Sequence, residues 1–307
     1  IVKGKTLVQL SGGEPTMRKD LPKIIRAAKN KGAKYVQLNS NGIILGEDKD
    51  YVKKLAEAGL SFVFMQFDGT GDGINQSLRG KALLKIKQQA IDNCAVHNIG
   101  VTLVPTLVRN VNLVNIGQIL EFAIAQSPKV RGVHFQPVSY FGRTPGCPSD
   151  NDRITLDELV FEIEKQTNGI INSNNILPSC CDHPLCGFHG DFVVDGKRLI
   201  PISKKEISNE EKCCCDSAAA EKNREFVARR WQRPQDRPSD TSSGNGDIRD
   251  MEYFLQKVKT HGFTVTAMAF QDAGNIDFAR LRHCSFHVYD KGRFVPFCAY
   301  YLTGWRG

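Results

Sequence analysis

The chain alternates between strand-like and helix-like segments over its first 139 residues, and this alternation restricts the fold more than any other feature. Apolar runs predict strands at Thr6–Leu10, Tyr35–Asn39, Phe62–Phe67, Val101–Val108 and Gly132–Val138. Helical periodicity predicts helices at Leu21–Lys31, Lys49–Ala58, Lys81–His97, Leu113–Gln126 and Leu156–Glu164. Because strands that alternate with helices form parallel sheets, we predict an α/β fold with repeated βα units.

Small or polar residues follow each of these predicted strands. Ser11-Gly12-Gly13-Glu14 follows the first strand, and Ser40-Asn41-Gly42 follows the second. The carboxyl ends of parallel strands meet at one edge, where α/β enzymes build their sites, so we expect a polar cleft there. In the first loop the glycines admit a ligand close to the backbone, while Glu14 repels phosphate and attracts an ammonium or sulfonium. A cationic ligand is predicted, with a plain structural turn as the alternative.

Composition limits the classes of protein that this chain can belong to. With 307 residues, of which 41% are hydrophobic and 24% charged, it can bury one large core or one core and a smaller domain. No apolar run approaches the ~18 to 20 residues of a membrane span, and the start does not resemble a secretory signal. We therefore expect a cytoplasmic protein without a transmembrane segment.

Half of the formal net charge of +8 arises from one stretch, Lys222–Arg237, and such a stretch is typical of a solvated insertion. No nucleic-acid partner is expected, because the basic residues lack regular aromatic interleaving. A low-complexity tract, Pro234–Asp247, predicts a loop. The composition becomes rich in Cys, His, Asn and Pro after Asn168, so we predict two domains, residues 1–168 and a smaller Cys-rich domain at 169–307.

Ten cysteines without a secretion signal favour metal or cluster ligation over disulfides. Cys180-Cys181-Asp182-His183-Pro184-Leu185-Cys186 brings three thiols within seven residues, and Cys284 and Cys298 supply two more. Four thiolates can hold an iron–sulfur cluster or a structural zinc. We predict a metal site built from some of Cys181, Cys186, Cys284 and Cys298; unpaired or redox-active thiols are the alternative. Cys94 is expected in the core, and Cys213, Cys214 and Cys215 are left unassigned.

Three loops in succession resemble the radical S-adenosylmethionine (SAM) superfamily. They are Gly12-Gly13-Glu14-Pro15, Asn39-Ser40-Asn41-Gly42 and Gln66-Phe67-Asp68-Gly69-Thr70. The resemblance implies a partial (β/α)6 barrel with a [4Fe–4S] cluster that cleaves SAM to a 5′-deoxyadenosyl radical, which abstracts a substrate hydrogen. It also implies a reductant such as ferredoxin or flavodoxin. By resemblance Gly12, Gly13 and Glu14 bind the methionyl amino group, and the remainder of the pocket is lined by Asn39, Gln66, Asp68, Thr106 and Gln136.

One departure from the superfamily concerns the cluster ligands. The superfamily holds its cluster with a Cys-x3-Cys-x2-Cys loop after the first barrel strand, and no such triplet occurs in this sequence. The glycine motif normally follows the second strand, and this sequence enters a strand pattern soon after Ile1. We therefore expect a barrel that lacks its first strand, with the cluster ligands upstream, and a segment that is inactive by itself.

Four further segments resemble the branch that contains archaeal tetraether synthase and related proteins with auxiliary iron–sulfur sites: Val63–Thr70, Val133–Val138, Cys181–Cys186 and Val295–Thr303. This narrower resemblance implies an auxiliary cluster in the C-terminal domain. It also implies carbon–carbon bond formation on a lipid-like substrate, with peripheral attachment to a membrane. A peptide or small-metabolite substrate, and a non-catalytic metal-binding scaffold, are the alternatives. The barrel strands carry phenylalanines that either wall a dry radical cavity or form an ordinary core: Phe62, Phe64, Phe67 and Phe135.

Overall fold

A single open sheet runs through most of the molecule. The computed structural model describes residues 1, 3–141, 148–179, 182–202, 231–232 and 251–303. The strands of the described residues are β1 Leu7–Leu10, β2 Tyr35–Ser40, β3 Phe62–Gln66, β4 Gly100–Val104, β5 Thr106–Leu107, β6 Val130–Pro137, β7 Leu177–Pro178, β8 Gly187–Asp195, β9 Arg198–Pro201, β10 Gly262–Met268, β11 His287–Asp290 and β12 Arg293–Pro296. The helices are α1 Leu21–Asn30, α2 Ile43–Glu47, α3 Lys49–Glu57, α4 Asp72–Arg79, α5 Leu84–Val96, α6 Ile116–Ala125, α7 Leu156–Gln166, α8 Met251–Thr260, α9 Phe278–Arg282 and α10 Phe297–Thr303.

The sheet has the strand order β1-β2-β3-β4-β6-β10-β8-β7. Neighbouring strands from β1 to β10 in this order are parallel, and the direction reverses between β10 and β8. The short strand β5 pairs with β6, β9 pairs with β8, and β11 and β12 form a separate antiparallel pair. The predicted α/β class with a parallel sheet is thereby confirmed, and the sheet is open.

Two predicted strands have different limits in the structure. The predicted strand Val101–Val108 is divided at Pro105, which has no backbone N–H to donate, into β4 and β5. The strand-forming residues of Arg293–Leu302 also predict a strand, and this prediction is wrong beyond Pro296, because α10 begins at Phe297. The Phe297 ring packs 4.7 Å from that of Phe286 and 4.7 Å from that of Tyr301, contacts that favour the helical turn over continued pairing.

The sheet separates its side chains into two layers, as strand alternation requires. One face packs under the helices and forms the main core, with Val36, Leu38, Val63, Met65, Val101, Leu103 and Val133. The opposite face, called the aromatic face here, carries a smaller cluster of Tyr35, Phe62 and Phe64, with Trp231 packed against it. Of the four phenylalanines considered above, Phe62 and Phe64 therefore lie on the aromatic face, and Phe67 and Phe135 lie in the main core.

The sheet continues past the predicted domain boundary at residue 168. Strand β10 pairs directly with β6, and this pairing is close, because a Cβ on Gly132 would lie 2.3 Å from the Thr264 carbonyl oxygen. The division into residues 1–168 and 169–307 stays a prediction, with strands from both ranges in one sheet. None of the described helices is long and apolar enough to cross a membrane.

Candidate functional site

Glu14 joins the loops that follow β1 and β2. Its Oε1 accepts hydrogen bonds from the Thr16 backbone N–H (3.1 Å), the Thr16 hydroxyl (2.6 Å) and the Ser40 hydroxyl (2.8 Å). Its Oε2 accepts one bond, from the Asn41 N–H at 2.6 Å. The carboxylate is thus fixed at the carboxyl edge of the sheet by neutral donors, and Oε2 keeps acceptor capacity for a cationic ligand.

The backbone beside Glu14 is open. Gly12 has φ of +94° and Gly13 has φ of +49°, values that side-chain-bearing residues rarely adopt. A Cβ built on either glycine would meet no atom within 4 Å. The space in which a Cβ of either glycine would lie is therefore free, and close approach of a ligand to this backbone stays a prediction.

Asp68 occupies a different environment from the one expected. Its side chain is fully buried, and its carboxylate accepts bonds from Arg79 Nε (2.8 Å), Arg79 Nη2 (3.2 Å) and the Thr106 N–H (3.0 Å). Arg79 Nη2 also lies 3.4 Å from the Thr106 hydroxyl. Asp68 therefore positions Arg79 and Thr106, and the guanidinium of Arg79, whose side chain is 34% exposed, is the group that reaches the surface.

The amides predicted for the pocket lie along the same edge. Asn39 is half-buried, and its Oδ1 accepts from Gln37 Nε2 at 2.7 Å. Gln66 ends β3, and Gln136 on β6 is the register partner of Thr106 on β5. The structure thus brings Glu14, Asn39, Gln66, Thr106 and Gln136 to the carboxyl ends of neighbouring parallel strands.

Lys87 is a site residue that sequence reasoning missed. It belongs to α5, is fully buried, and donates from Nζ to the carbonyls of Asn41 (3.1 Å) and Gln66 (2.5 Å). Burial lowers the pKa of Lys87 to about 8, an effect that Asp68 opposes. This ammonium connects the ends of β2 and β3 beneath the predicted pocket. In the sequence, the signal for Lys87 is a lysine on the apolar side of a helical pattern. The corresponding signal for Arg79 is a basic residue at the end of a helix.

Three of the described thiols line a cavity that is partly open to solvent. Cys186 precedes β8, Cys284 follows α9, and Cys298 belongs to α10; all three are free thiols. Burial raises the pKa values of Cys284 and Cys298. Cys181 and the run Cys213–Cys215 lie outside the described residues, and Cys94 is in the core as expected.

The thiol cavity lies at the same edge of the sheet as the Glu14 loop. Its wall includes Met268 to Gln271, which form the carboxyl end of β10 and the loop after it. Hydrogen bonds connect this loop to the one after β6: the Ser139 hydroxyl donates to the Phe270 carbonyl (3.0 Å), and the Tyr140 N–H donates to Asp272 (3.0 Å). Two candidate sites are therefore built on adjoining loops.

The three thiols do not suit a single metal ion. Among the described side chains, no group of three or more His, Cys, Asp or Glu residues could hold one ion. A cluster places each thiolate on a separate iron, and so requires sulfurs that surround a larger volume. A metal or cluster at these thiols stays a prediction, as do the ligands Cys181, Cys186, Cys284 and Cys298.

Comparison with known proteins gives three relevant likenesses. A 7,8-dihydro-6-hydroxymethylpterin dimethyltransferase of Methanocaldococcus jannaschii is 33% identical over 334 aligned positions, covering 95% of this chain and 66% of that protein. An Fe-coproporphyrin III synthase of Methanosarcina barkeri is 34% identical over 50% of this chain and 37% of its own length. The crystal structure of Streptococcus suis SuiB bound to SAM is 17% identical over 53% of this chain and 35% of that chain, with a TM-score of 0.41.

The chain thus spans between 37% and 66% of the length of these two curated relatives. Residues 1–123, which include the Glu14 loop, Asn39, Gln66, Asp68 and Thr106, match the radical SAM superfamily. Members of this superfamily use SAM and a [4Fe–4S] cluster, together with a reductant and an organic substrate. The chain belongs to the radical SAM superfamily.

Proposed function

We propose that this chain is part of a radical SAM enzyme that abstracts hydrogen from a small nitrogen heterocycle of the dihydropterin class. One observation carries the proposal: the match to the dihydropterin dimethyltransferase extends over 95% of the chain. The lipid-like substrate implied by the narrower resemblance has no such support from the relatives. The dihydropterin relative does support a small metabolite as the substrate, which is one of the alternatives considered from the sequence.

The residues at the carboxyl edge fit SAM. SAM and its cluster supply the radical that abstracts hydrogen. Glu14 Oε2 offers an acceptor to the methionyl ammonium, and the open peptide groups of Gly12 and Gly13 adjoin it. The amides of Asn39, Gln66 and Gln136 suit hydroxyl and ring-nitrogen groups of the nucleoside. Asp68 serves this pocket indirectly, because it holds Arg79 and Thr106 in place.

The aromatic face would support radical chemistry by excluding water. The Trp231 ring lies 4.6 Å from the Phe64 ring and 5.4 Å from the Phe62 ring. These aromatic groups cover the aromatic face near the amino ends of the strands, since the Trp231 backbone adjoins Gly100 at the start of β4. A dry floor beneath the SAM pocket limits quenching of a reactive carbon radical.

The thiol cavity is proposed as the auxiliary cluster site. Cys186, Cys284 and Cys298 would each bind one iron, and Cys181 is the candidate for the fourth. A ferredoxin or flavodoxin as electron donor, and a cytoplasmic location, are also predictions that belong to this proposal.

The substrate class is tested with the complete gene product, prepared anaerobically and reconstituted with iron and sulfide. Dithionite, SAM and 7,8-dihydro-6-hydroxymethylpterin are added, and 5′-deoxyadenosine and pterin products are followed by mass spectrometry. We expect 5′-deoxyadenosine formation that the pterin stimulates, with a new pterin product. Stimulation by a peptide or a lipid but not by the pterin would contradict the substrate class. Absence of all SAM cleavage would favour the scaffold alternative.

The auxiliary cluster is tested on the 307-residue chain itself. This chain contains no Cys-x3-Cys-x2-Cys motif. Any cluster that the chain takes up is therefore held by cysteines that do not belong to such a motif. We expect about four irons per chain after reconstitution, loss of most of this iron in Cys186→Ser and Cys284→Ser, and no loss in Cys94→Ala. The same chain is predicted not to cleave SAM. Equal iron contents in all four proteins would exclude the proposed ligands.

A further inference from the structure

Arg280 is the basic residue among the described side chains that line the thiol cavity. Its Nε donates to Cys186 Sγ at 3.4 Å, and its Nη2 donates to the Ala269 carbonyl at 2.6 Å. Cys186 and Ala269 are themselves joined, since the Ala269 N–H donates to the Cys186 carbonyl at 2.8 Å. The guanidinium is therefore fixed between the end of β10 and the turn that carries a proposed cluster ligand.

The backbone of Arg280 is also fixed. Asp277 caps α9, and its Oδ1 accepts from the N–H groups of Ala279 (2.7 Å) and Arg280 (3.4 Å). The Asp277 N–H donates to Gln271 Oε1 at 2.5 Å, and the Gln271 N–H donates to Cys298 Sγ at 3.3 Å. Two of the three thiols described in the cavity thus receive an N–H donor from its wall, and Arg280 supplies the charged donor.

The surroundings strengthen the effect of this charge. The ring of Phe297 lies 4.6 Å from that of Phe270 and 4.7 Å from that of Phe286, and all three line the cavity. Apolar walls lower the local dielectric constant, so a fixed charge acts more strongly than at the surface. The opposing charge on the wall is Asp182, whose Oδ1 accepts from the Ser285 N–H (2.7 Å) and hydroxyl (2.8 Å).

We propose that Arg280 raises the reduction potential of the cluster bound at Cys186, Cys284 and Cys298, an inference that rests on the auxiliary cluster proposed above. Adding one electron to a thiolate-ligated cluster increases its negative charge. A guanidinium that hydrogen-bonds a ligand sulfur stabilises the reduced form more than the oxidised form. Asp182 acts in the opposite direction, because a nearby carboxylate destabilises the added negative charge.

The test is a redox titration with dithionite, followed by electron paramagnetic resonance, on the reconstituted 307-residue chain. Arg280→Gln is expected to lower the reduction potential, and Arg280→Lys to lower it less, because lysine keeps the charge but lacks the forked donor. Asp182→Asn is expected to raise it, and its amide oxygen can still accept from Ser285. Arg282→Gln, an exposed arginine on the same helix, is the control and should leave the potential unchanged.

Iron and sulfide contents separate the two ways in which this inference can fail. A chain that takes up no iron overturns both the auxiliary cluster and the role of Arg280. Full iron content with equal potentials in the wild type and Arg280→Gln overturns the role of Arg280 and leaves the cluster standing. If Arg280→Gln retains no iron, Arg280→Lys decides: a lower potential supports the inference, and an unchanged one contradicts it.

Discussion

Lys87 is a buried lysine whose environment disfavours the charged form of its side chain. Both carbonyls that it contacts end strands of the proposed SAM pocket, so its ammonium sets the spacing of the loops after β2 and β3. Burial lowers its pKa from 10.5 to about 8. Below this value the folded protein must keep a charge out of water, which lowers the free energy of unfolding.

The pH dependence of stability tests this account of Lys87. As pH rises from about 8 to about 10.5, the folded state releases the proton before the unfolded state does, so stability should increase by an amount on the order of 3 kcal/mol. In Lys87→Met this contribution is absent. Urea unfolding of the wild type and of Lys87→Met, at about pH 7.5 and about pH 10, measures how the free energy of unfolding of each protein changes with pH. The difference between these two pH slopes is the contribution of Lys87. Equal slopes would refute the burial of a charged Lys87.

Asp68→Asn tests the buried partner of Arg79. The variant keeps the size of the side chain but removes the charge that faces Arg79, and we expect the free energy of unfolding to fall by about 3 kcal/mol. SAM affinity should fall as well, because Thr106 and Arg79 lose their common anchor. The control is Asp92→Asn, which breaks an exposed pair with Lys129 and should cost less than ~1 kcal/mol. Similar losses in both variants would contradict the structural role of Asp68.

At the scale of elements, sequence patterns predicted what is local and missed what depends on distant contacts. The βα alternation up to β6 is visible because each strand and helix carries its own periodicity. Strands β8 and β10 were not predicted, since β10 enters the sheet by pairing with β6 across more than a hundred residues, and β8 enters it by pairing with β10. The Glu14 loop was recognised from its motif, whereas Arg79 and Lys87 resemble ordinary helix charges until α4 and α5 are placed against the sheet.

Substitution of Trp231 tests the packing of the aromatic face. Its ring contacts Phe62 and Phe64, and its Nε1 donates to the Thr264 hydroxyl at 2.9 Å. Trp231→Ala should lower the free energy of unfolding by about 3 kcal/mol, since both the ring contacts and the hydrogen bond are lost. Phe294→Ala removes a ring that is 72% exposed and should change the free energy of unfolding by less than ~0.5 kcal/mol. Chemical unfolding measures both, and a Trp231→Ala cost as small as that of the control would disprove the packing role.

At the scale of the whole molecule, one sheet brings the two candidate sites to a common edge. The parallel neighbours β6 and β10 end in loops that are joined through Ser139, Tyr140 and Asp272, and Asp272 is further paired with Arg153 at 2.7 Å. The proposed SAM pocket and the proposed auxiliary cluster therefore belong to one connected structure. This arrangement depends on β10, so it could not be inferred from the cysteine spacing, which indicated only that the thiols share a site.

The most direct test of the central claim is the binding of SAM at the Glu14 loop, measured by calorimetry on the reconstituted complete gene product. The wild type should bind SAM, and Glu14→Gln should bind it at least about tenfold more weakly, since a charged acceptor for the ammonium contributes roughly 1.5 to 3 kcal/mol. Glu57→Gln, an exposed carboxylate at the end of α3, should bind as the wild type does. Absence of SAM binding, or equal affinity in Glu14→Gln, would contradict the account.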